Sequence, residues 1–537
     1  MEKQRGFLLA RVISALCQPV VYILIGISIL TFIYLDNQLN DSPFQHAYSD
    51  AWEHTAALSE LIESPLYPRN PHLSTSAPSP RFMPLYVAAG WLGHILHMDV
   101  FTLYHGLSLF NIVLLLVGVY LFASVYFRHR AAPVVLLLSL LFAWGTGIIW
   151  SNSTSFRALP SVAAYPSMAA FGLTLILWYL AIRFLEARRG RQIIGWFFLA
   201  WGVCSLTLLI HVLTGAVALG GMLLLALTRR DAGWRNRILL VMVIPCALLA
   251  VESWPYYSTF EVLAHGSGQG SAMGEGFARF QRLVHANAFY RPWSILSSLG
   301  VALLAYPLAL KYLRERRYLF AVGGLLGLSA IYFLNLFVSI PLGHRALLFA
   351  VSFGQILIAA WLIEVLFFGR SCEAFSTAEF SSLVNETSVR RRRLALILAG
   401  ACLLAGFAFA ARQEWVSARE GRQLVDTYRH LTRKMREGAI VLTPPETGWP
   451  LPTFGGKVTA LYHPNPLVES EKKRLQDTRR FFSPDSTVRE REQIIMRYSP
   501  KYLLLNLSRY KMAKIYENAY CGKSMVFGNY LFCEIAK

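Results

Sequence analysis

Two carboxyl residues and two histidines lie close together in the segment His46-Ala-Tyr-Ser-Asp50-Ala-Trp-Glu53-His54. On a helix, positions 46, 50, 53 and 54 share one face, which would gather these four side chains. Such a group could carry out acid/base chemistry with Asp50, Glu53 and His54 as the catalytic residues, or Asp50 and His54 could hold a divalent cation such as Mg²⁺ or Mn²⁺. An amphipathic helix resting on a membrane surface is the alternative.

The composition places this segment in a membrane protein. Hydrophobic residues make up 55% of the chain and charged residues 15%, whereas a soluble globular protein is about 25% charged. Apolar stretches of about 20 residues, long enough to cross ~30 Å of hydrocarbon, recur up to Arg412. The first stretch, from Cys17 to Leu35, has no clear small-residue cleavage site after it, so we interpret it as a retained span.

The basic residues predict the topology. They concentrate in alternate loops, as cytoplasmic loops of membrane proteins do, which predicts an N-terminus in the cytoplasm and a C-terminus outside it. The formal net charge of +20 then reflects this topology, and no nucleic-acid partner is implied. The chain is expected to be a multi-pass protein of the cytoplasmic (inner) membrane with eleven spans, near residues 17–35, 103–126, 132–150, 161–185, 194–210, 212–227, 237–254, 292–313, 318–338, 343–368 and 393–411.

One apolar segment is left out of this count. Met83 to Met98 is short for a span and contains two glycines and two histidines, so we predict an interfacial or re-entrant helix. The first outward loop then covers residues 36–102 and carries Asp50. Loops of this length in a compact protein are usually functional.

The tail after Arg412 has the pattern of a separate α/β domain, over residues 412–537. The sequence predicts a helix through Leu424 and Met435, buried strands at Ala439–Thr443 and Tyr502–Asn506, helices at 469–480, at 488–498 and from Ser508, and a hairpin around Gly528. Cys521 and Cys533 flank that hairpin. An outward compartment would permit a disulfide between them.

Further polar residues are expected on the same outward side as Asp50. A guanidinium group matches phosphate oxygens in two-pronged fashion, so Arg157 and Arg345 could bind a lipid phosphate, although an internal carboxylate such as Glu252 is the other possible partner. His211 could line the same site or act as a packing or hydrogen-bonding histidine. The candidate substrate-binding residues are therefore His46, Arg157, Tyr165, His211, His344 and Arg345.

The layout resembles the GT-C superfamily of polytopic membrane glycosyltransferases over almost the whole chain. The resemblance rests on the first span, on the long first loop with Ser49-Asp50-Ala-Trp-Glu53-His54, on about eleven spans, and on the outward C-terminal domain. That domain contains Ala439-Ile-Val-Leu-Thr-Pro-Pro-Glu446, Gly455-Gly-Lys457 and His463-Pro464. The first loop lacks a paired Asp-Glu dipeptide and the tail lacks a Trp-Trp-Asp-type motif, which leaves the substrate class open.

The resemblance implies a function in glycan biosynthesis at the cell envelope. A sugar would move from a polyprenyl-phosphate-type lipid in the bilayer to a glycan, lipid or protein acceptor, with inversion at the anomeric carbon. Asp50 would be the general base or a metal ligand, His46, Glu53 and His54 would tune it, and Arg157 and Arg345 would stabilise the departing phosphate. A surface-polysaccharide polymerase or ligase, or a lipid-linked sugar transporter, remains an alternative.

The tail is expected to recognise the acceptor or to cover the site. A basic run within residues 472–480 would suit anionic lipid heads or a charged glycan. A protein ended near Arg412 would then still fold and bind the donor lipid.

Overall fold

The computed structural model describes residues 19–41, 44, 49–145, 154–229, 231–266, 296, 299–335, 337–338, 340, 343–368, 421–463, 465, 467–468, 470–510 and 513–536. These residues fall into two compact units. The helical unit lies within Met1–Leu35, Ser108–Val251 and Ala278–Gln413. The mixed unit lies within Asp36–Leu107, Glu252–Phe277 and Glu414–Lys537. The predicted boundary at residue 412 remains a prediction.

The longer helices are, in chain order, α1 (Pro19–Asn40), α2 (Ala51–Glu63), α3 (Pro84–Leu96), α4 (Val100–Phe127), α5 (Ala132–Phe142), α6 (Pro166–Glu186), α7 (Gly190–Ile210), α8 (Val212–Thr228), α9 (Trp234–Glu252), α10 (Thr259–Gly266), α11 (Ala305–Tyr312), α12 (Leu319–Leu334), α13 (Ala346–Ile363), α14 (Glu471–Phe481), α15 (Val488–Tyr498) and α16 (Ala513–Tyr520). A further helix covers residues 421–432. The strands are β1 (Ile440–Leu442), β2 (Lys457–Val458), β3 (Tyr502–Asn506), β4 (Cys521–Phe527) and β5 (Tyr530–Ile535).

Seven helices in the described part of the chain are long and apolar enough to cross a membrane. They confirm a polytopic α-helical membrane protein, but not the count of eleven spans. Shorter helices stand where spans were predicted at 132–150, 212–227 and 292–313, and the span at 393–411 lies outside the described residues. The seven are Pro19–Leu39, Val100–Phe127, Pro166–Glu186, Gly190–Ile210, Trp234–Glu252, Arg316–Leu334 and Ala346–Phe367.

Helices α4 and α6 approach each other closely in the helical unit because glycines face each other. A Cβ atom added to Gly118 would lie 2.5 Å from the carbonyl oxygen of Gly172, which no side chain could tolerate. Membrane helices commonly pack through such small residues, since backbones can then come into contact. Helices α6 and α13 are the most deeply buried of the seven.

Helix α5 is shorter than the predicted span and ends at Phe142. The indole of Trp144 donates a hydrogen bond to the carbonyl oxygen of Leu140 at 2.6 Å, and the amide of Gln355 donates to that of Ala143 at 3.1 Å. These side chains bind carbonyl groups of the last turn, and Ala143 is the C-cap residue of α5.

The mixed unit contains a five-stranded sheet of order β2-β1-β3-β5-β4. Strand β1 pairs in parallel with β2 and β3, and β5 pairs antiparallel with β3 and β4. Leu442, Leu503 and Leu505 from the central strands pack against Phe481 and Ile494 of α14 and α15. The α/β tail predicted from the sequence is confirmed, including strand β3 and helix α15 with the predicted bounds.

Helices α2 and α3 pack against each other in the same unit. A Cβ atom on Gly90 would lie 2.4 Å from the Cβ of Leu61, so only glycine permits this approach. The His94 ring nitrogen Nδ1 lies 2.7 Å from the carbonyl oxygen of Ile62. The helix predicted within Met83–Met98 is thus confirmed, and its interfacial or re-entrant placement remains a prediction.

Cys521 and Cys533 form a disulfide, with their Cα atoms 5.6 Å apart. It joins the start of β4 to β5, next to the core residues Tyr516 and Tyr520. The pairing that the sequence permitted is confirmed.

Removing this disulfide should destabilise the tail without abolishing the fold. Closing a loop of this size lowers the entropy of the unfolded chain, and the Cys521→Ser/Cys533→Ser variant should lose about 3 kcal/mol of unfolding free energy. Thermal unfolding of the full chain measures the loss, with Cys246→Ser, a change at a partly buried free cysteine, as the control. Equal midpoints for the double variant and this control would contradict the prediction.

Candidate active site

Asp50 is the N-cap residue of α2, and its carboxylate makes no capping hydrogen bond. The amide of Ala51 is bound instead by the Ser49 hydroxyl at 3.2 Å. About half of the Asp50 side chain is exposed. Asp50 therefore presents an accessible carboxyl group at the N-terminus of α2. Since α2 begins at Ala51, Asp50 only borders the predicted helical face, and His46 lies outside the described residues.

His463 lies beside Asp50. Its Nε2 atom is 3.4 Å from Asp50 Oδ1, and the imidazole is 40% exposed. At this distance the imidazole forms an ion pair with the carboxylate when it is protonated. The sequence analysis noted His463 only as part of a tail motif, and no local pattern indicated that the tail reaches Asp50.

Trp449 holds this pair in place. Its indole donates a hydrogen bond to the carbonyl oxygen of Ser49 at 3.0 Å, one residue before Asp50. The centroid of the His463 ring lies 5.1 Å from that of the Trp449 indole. The His72 ring stacks on the same indole, with 5.2 Å between the ring centroids. Trp449 itself is buried, so the loop and the tail share a packed interior at the site.

The imidazole of His72 stays neutral at physiological pH. Burial lowers its pKa to about 3, and the positive charges of Lys457 and Arg81 act in the same direction. His72 therefore supports the indole as an uncharged aromatic ring rather than as a proton donor.

Glu53 is engaged by Arg81. The Nη2 atom of Arg81 donates to Glu53 Oε2 at 2.8 Å, and Nε lies 2.8 Å from Oε1. One charge-assisted hydrogen bond and one close ion contact therefore join the two side chains. The charge of Asp50 also acts on Arg81, so the guanidinium links the two carboxylates electrostatically.

His54 is buried one turn into α2, and its ring meets the ring of Tyr86 edge-on at 5.5 Å. In the part of the chain that the structure describes, no group of three or more His, Cys, Asp or Glu side chains could hold a metal ion. Both oxygens of Glu53 contact Arg81, so they are not available beside Asp50 as the hard oxygen ligands that Mg²⁺ or Mn²⁺ requires. The prediction that Asp50 and His54 hold a cation stays a prediction.

Glu471, the first residue of α14, adds a titratable group that the sequence analysis did not single out. Burial raises the pKa of its carboxyl to about 7, the amide of Asn465 that donates to it at 3.1 Å opposes this, and the charge of Glu53 raises it further. Its side chain is partly buried.

Stability should therefore depend on pH through Glu471. Below its ordinary pKa of 4.5 the carboxyl is protonated in both the folded and the unfolded state. Between about pH 4.5 and pH 7 the unfolded chain ionises while the folded chain stays protonated, so the folded state loses about 2 kcal/mol of relative stability, and above about pH 7 the loss is complete. Thermal unfolding at pH 4.5 and pH 8 should show a smaller loss in Glu471→Gln than in the wild type. Identical losses would show that this carboxyl does not titrate as described.

The remaining candidate residues belong to the helical unit. Tyr165, His211 and Arg345 are the N-cap residues of α6, α8 and α13. Helix N-termini attract anions, which suits a phosphate. Arg157 is partly buried before a short helical turn at Leu159–Val162, and burial lowers the pKa of its guanidinium.

His211 and Glu252 have clear structural roles. The Nδ1 atom of His211 accepts a hydrogen bond from the amide of Thr214 at 3.2 Å and lies 2.8 Å from its hydroxyl, so this histidine caps α8. The carboxylate of Glu252 accepts hydrogen bonds from the Ser258 hydroxyl at 2.5 Å and the Phe260 amide at 3.2 Å. The side chain of His344 lies outside the described part.

No family model matches the sequence, and no curated protein matches it significantly. Several solved structures, however, are similar to this chain. ArnT from Cupriavidus metallidurans in the apo state superposes with a TM-score of 0.54 at 12% identity, over 96% of this chain and 98% of that one. The same protein bound to undecaprenyl phosphate gives 0.52 at 12% identity, over 96% and 98%.

A second type of glycosyltransferase has the same architecture. The Archaeoglobus fulgidus oligosaccharyltransferase in the apo form gives a TM-score of 0.55 at 13% identity, over 93% of this chain and 73% of that one. Both neighbours are GT-C superfamily membrane glycosyltransferases. With its apolar helices and its C-terminal α/β sheet, the chain described here therefore has the GT-C fold.

Proposed function

We propose that this protein is a membrane glycosyltransferase that moves a sugar from a polyprenyl-phosphate-type lipid to an extracytoplasmic acceptor. The observation that carries the proposal is the exposed carboxylate of Asp50 at the start of α2, with His463 at 3.4 Å. It occurs in a chain with the GT-C fold, in the segment that follows the first apolar helix.

The donor class is inferred from the structural neighbours. One ArnT structure contains undecaprenyl phosphate. A structure of archaeal AglB from Archaeoglobus fulgidus, with a TM-score of 0.52 at 13% identity over 95% of this chain and 74% of that one, contains dolichol phosphate and an inhibitory peptide. Both lipids are polyprenyl-type phosphates, so a sugar linked to such a phosphate is the donor that we propose.

In the proposed reaction Asp50 accepts the proton of the acceptor hydroxyl. The acceptor oxygen forms a bond to the anomeric carbon, and the bond from that carbon to the phosphate oxygen breaks. The polyprenyl phosphate leaves with the bonding electron pair, and a single displacement of this kind inverts the anomeric centre. General-base catalysis of this type contributes about 10²–10⁴-fold to a rate.

The neighbours of Asp50 have positioning roles in this scheme. His463 orients the carboxylate, and Trp449 fixes the backbone beside it. Glu53 holds Arg81, whose positive charge interacts with the carboxylate of Asp50. His54 supports α2 from its buried face, and no step in this scheme uses a metal ion.

Arg345 and Arg157 are the proposed phosphate-binding residues of the helical unit. Arg345 stands at the N-terminus of α13, where the helix dipole adds to its charge. Tyr165 and His211 occupy the corresponding positions of α6 and α8. We propose that these residues face the leaflet from which the donor is drawn, which the topology predicts to be the extracytoplasmic one.

The function can be tested with purified full chain reconstituted in vesicles. Undecaprenyl phosphate linked to a labelled hexose, pentose or amino sugar is supplied together with envelope glycans and lipids of the source cell. We expect one donor to be consumed, with release of undecaprenyl phosphate and label in an acceptor. Transport of labelled lipid across the bilayer without any cleavage of the sugar–phosphate bond would assign the protein to a transporter instead.

Substitutions of Arg345 should show whether the planar guanidinium group or only its positive charge binds the phosphate. If it binds the donor phosphate, Arg345→Lys should bind undecaprenyl phosphate about tenfold more weakly, because an ammonium group cannot make the two-pronged contact. Arg345→Ala should be weaker still, and Arg316→Lys, in a predicted cytoplasmic loop, serves as the matched control. Unchanged lipid binding in both Arg345 variants would assign this arginine to the structure of the helical unit.

A further inference from the structure

The helical unit contains a pocket that the proposed reaction does not use. Its volume is about 490 Å³, which is large enough for a lipid headgroup. It lies where α1 and α5 begin and α4 ends. The lining residues are Pro19, Tyr22, Tyr120, Ser124, Arg128, His129, Arg130, Pro133 and Val134.

The charge of this pocket is one-sided. Three consecutive basic side chains, Arg128 to Arg130, contribute to its wall, and none of the nine lining residues is acidic. Among the residues that the structure describes, Arg130 forms no salt bridge, whereas Arg128 contacts Glu186 at 2.7 Å. The pocket therefore has a positive charge available for an anion.

The basic loop is held in an unusual conformation. Arg128 has a φ angle of +54°, in the left-handed region that L-residues with side chains seldom adopt. The contact of its Nη2 atom with Glu186 fastens the side chain in that position. The amide of Ala131 donates to His129 Nδ1 at 3.2 Å, so the loop between α4 and α5 is ordered by its own side chains.

The rest of the wall is aromatic and apolar. The rings of Tyr22 and Tyr120 lie 5.4 Å apart, and Pro19, Pro133 and Val134 complete this side. Because α1 and α4 have the length and composition of membrane spans, their ends lie at the depth of lipid headgroups. Tyrosine and arginine side chains are favoured at that depth.

We propose that this pocket binds a phosphate-bearing anion, and that its occupant is the headgroup of an anionic phospholipid. Arg130 would contact the phosphate oxygens, which a guanidinium group matches well, and Arg128 adds positive charge to the wall. The tyrosines, the prolines and Val134 would contact the glycerol and the upper acyl chain, which a free phosphate ion lacks. By the predicted topology this is a lipid of the cytoplasmic leaflet, where anionic lipids attract basic loops.

Lipid binding by the detergent-solubilised full chain tests the proposal. Phosphatidylglycerol, phosphatidylcholine and inorganic phosphate are the probes, and native mass spectrometry counts the bound molecules. The wild type should retain one phosphatidylglycerol that Arg130→Gln binds about tenfold more weakly, with Arg130→Lys between them. Arg183→Gln is the matched control, since Arg183 also contacts Glu186 but does not line the pocket.

A second variant tests the pocket without removing a positive charge from it. Ser124→Trp should fill the pocket and displace the same phosphatidylglycerol while all basic residues remain. Equal retention of phosphatidylglycerol and phosphatidylcholine, or equal binding by the wild type, Arg130→Gln and Ser124→Trp, would overturn the proposal. Displacement of the lipid by millimolar inorganic phosphate would show that the site takes a free anion, and would overturn the assignment to a lipid.

Discussion

The Asp50→Asn protein is expected to transfer sugar about 10²–10⁴-fold more slowly than the wild type. The amide has the size of the carboxylate but cannot accept the acceptor proton. Asp50 makes no capping hydrogen bond to α2, so this change should leave the fold intact. Initial rates with a donor that the wild type consumes measure the effect.

Asp99→Asn is the matched control for this experiment. Asp99 also precedes a helix, and its carboxylate accepts hydrogen bonds from the amides of Phe101 and Thr102 at 3.0 and 3.1 Å. Asparagine caps helices about as well as aspartate does, so this protein should keep its activity. A wild-type rate in Asp50→Asn, equal to that of the Asp99→Asn control, would remove Asp50 from the chemistry.

The Lys457→Met protein should lose about 3–5 kcal/mol of unfolding free energy in the mixed unit. Lys457 on β2 donates to Glu60 at 2.7 Å and to the carbonyl oxygens of Asn70 and Pro71 at 2.8 and 3.1 Å. The side chains of Lys457 and Glu60 are only 13% and 10% exposed. Losing the ammonium group leaves Glu60 Oε2 and two carbonyl oxygens without this donor and leaves the buried carboxylate without its positive partner. Thermal unfolding will detect the loss.

Two further variants isolate this ion pair. Lys457→Met/Glu60→Gln removes the unpaired charge and should recover part of the stability. Lys472→Met changes an exposed lysine of α14 and should shift stability by less than about 0.5 kcal/mol. A single Lys457 variant as stable as the Lys472 control would show that the pair does not hold the unit together.

The same contact changes the expected effect of removing the tail. The sequence analysis expected a protein ended near Arg412 to fold and bind donor lipid. In the mixed unit, however, two side chains of the tail bind the segment that carries Asp50: Lys457 contacts Glu60, and Trp449 donates a hydrogen bond to Ser49. We now expect that such a truncation would expose Glu60 and Trp52 and disorder the surroundings of Asp50.

The elements of the tail could be predicted because each has a local signal. Helix α15 begins with a capping box between Thr487 and Glu490, and strand β3 is a run of consecutive buried residues, Tyr502 to Leu505. Turn chemistry also marks the hairpin, where Gly528 has a φ angle of +54°. These patterns depend on neighbours within a few residues.

The candidate site was only partly predictable because its residues come from distant parts of the sequence. Asp50 was identified from its place in the first loop, but its neighbours His463 and Trp449 come from the far end of the chain. Such contacts depend on tertiary packing, which hydrophobic periodicity does not encode. The pairing of Glu53 with Arg81 was missed in the same way, because the two residues lie 28 positions apart in the sequence.

The most direct test of the account is a structure of the slow Asp50→Asn protein with a bound sugar-linked undecaprenyl phosphate and acceptor. We predict that the side chain of residue 50 lies within hydrogen-bonding distance, about 3 Å, of the attacking acceptor hydroxyl, and that an arginine contacts the phosphate. A bound donor whose anomeric carbon lies more than about 15 Å from residue 50, well beyond the reach of a base acting directly or through one water, would contradict the central claim.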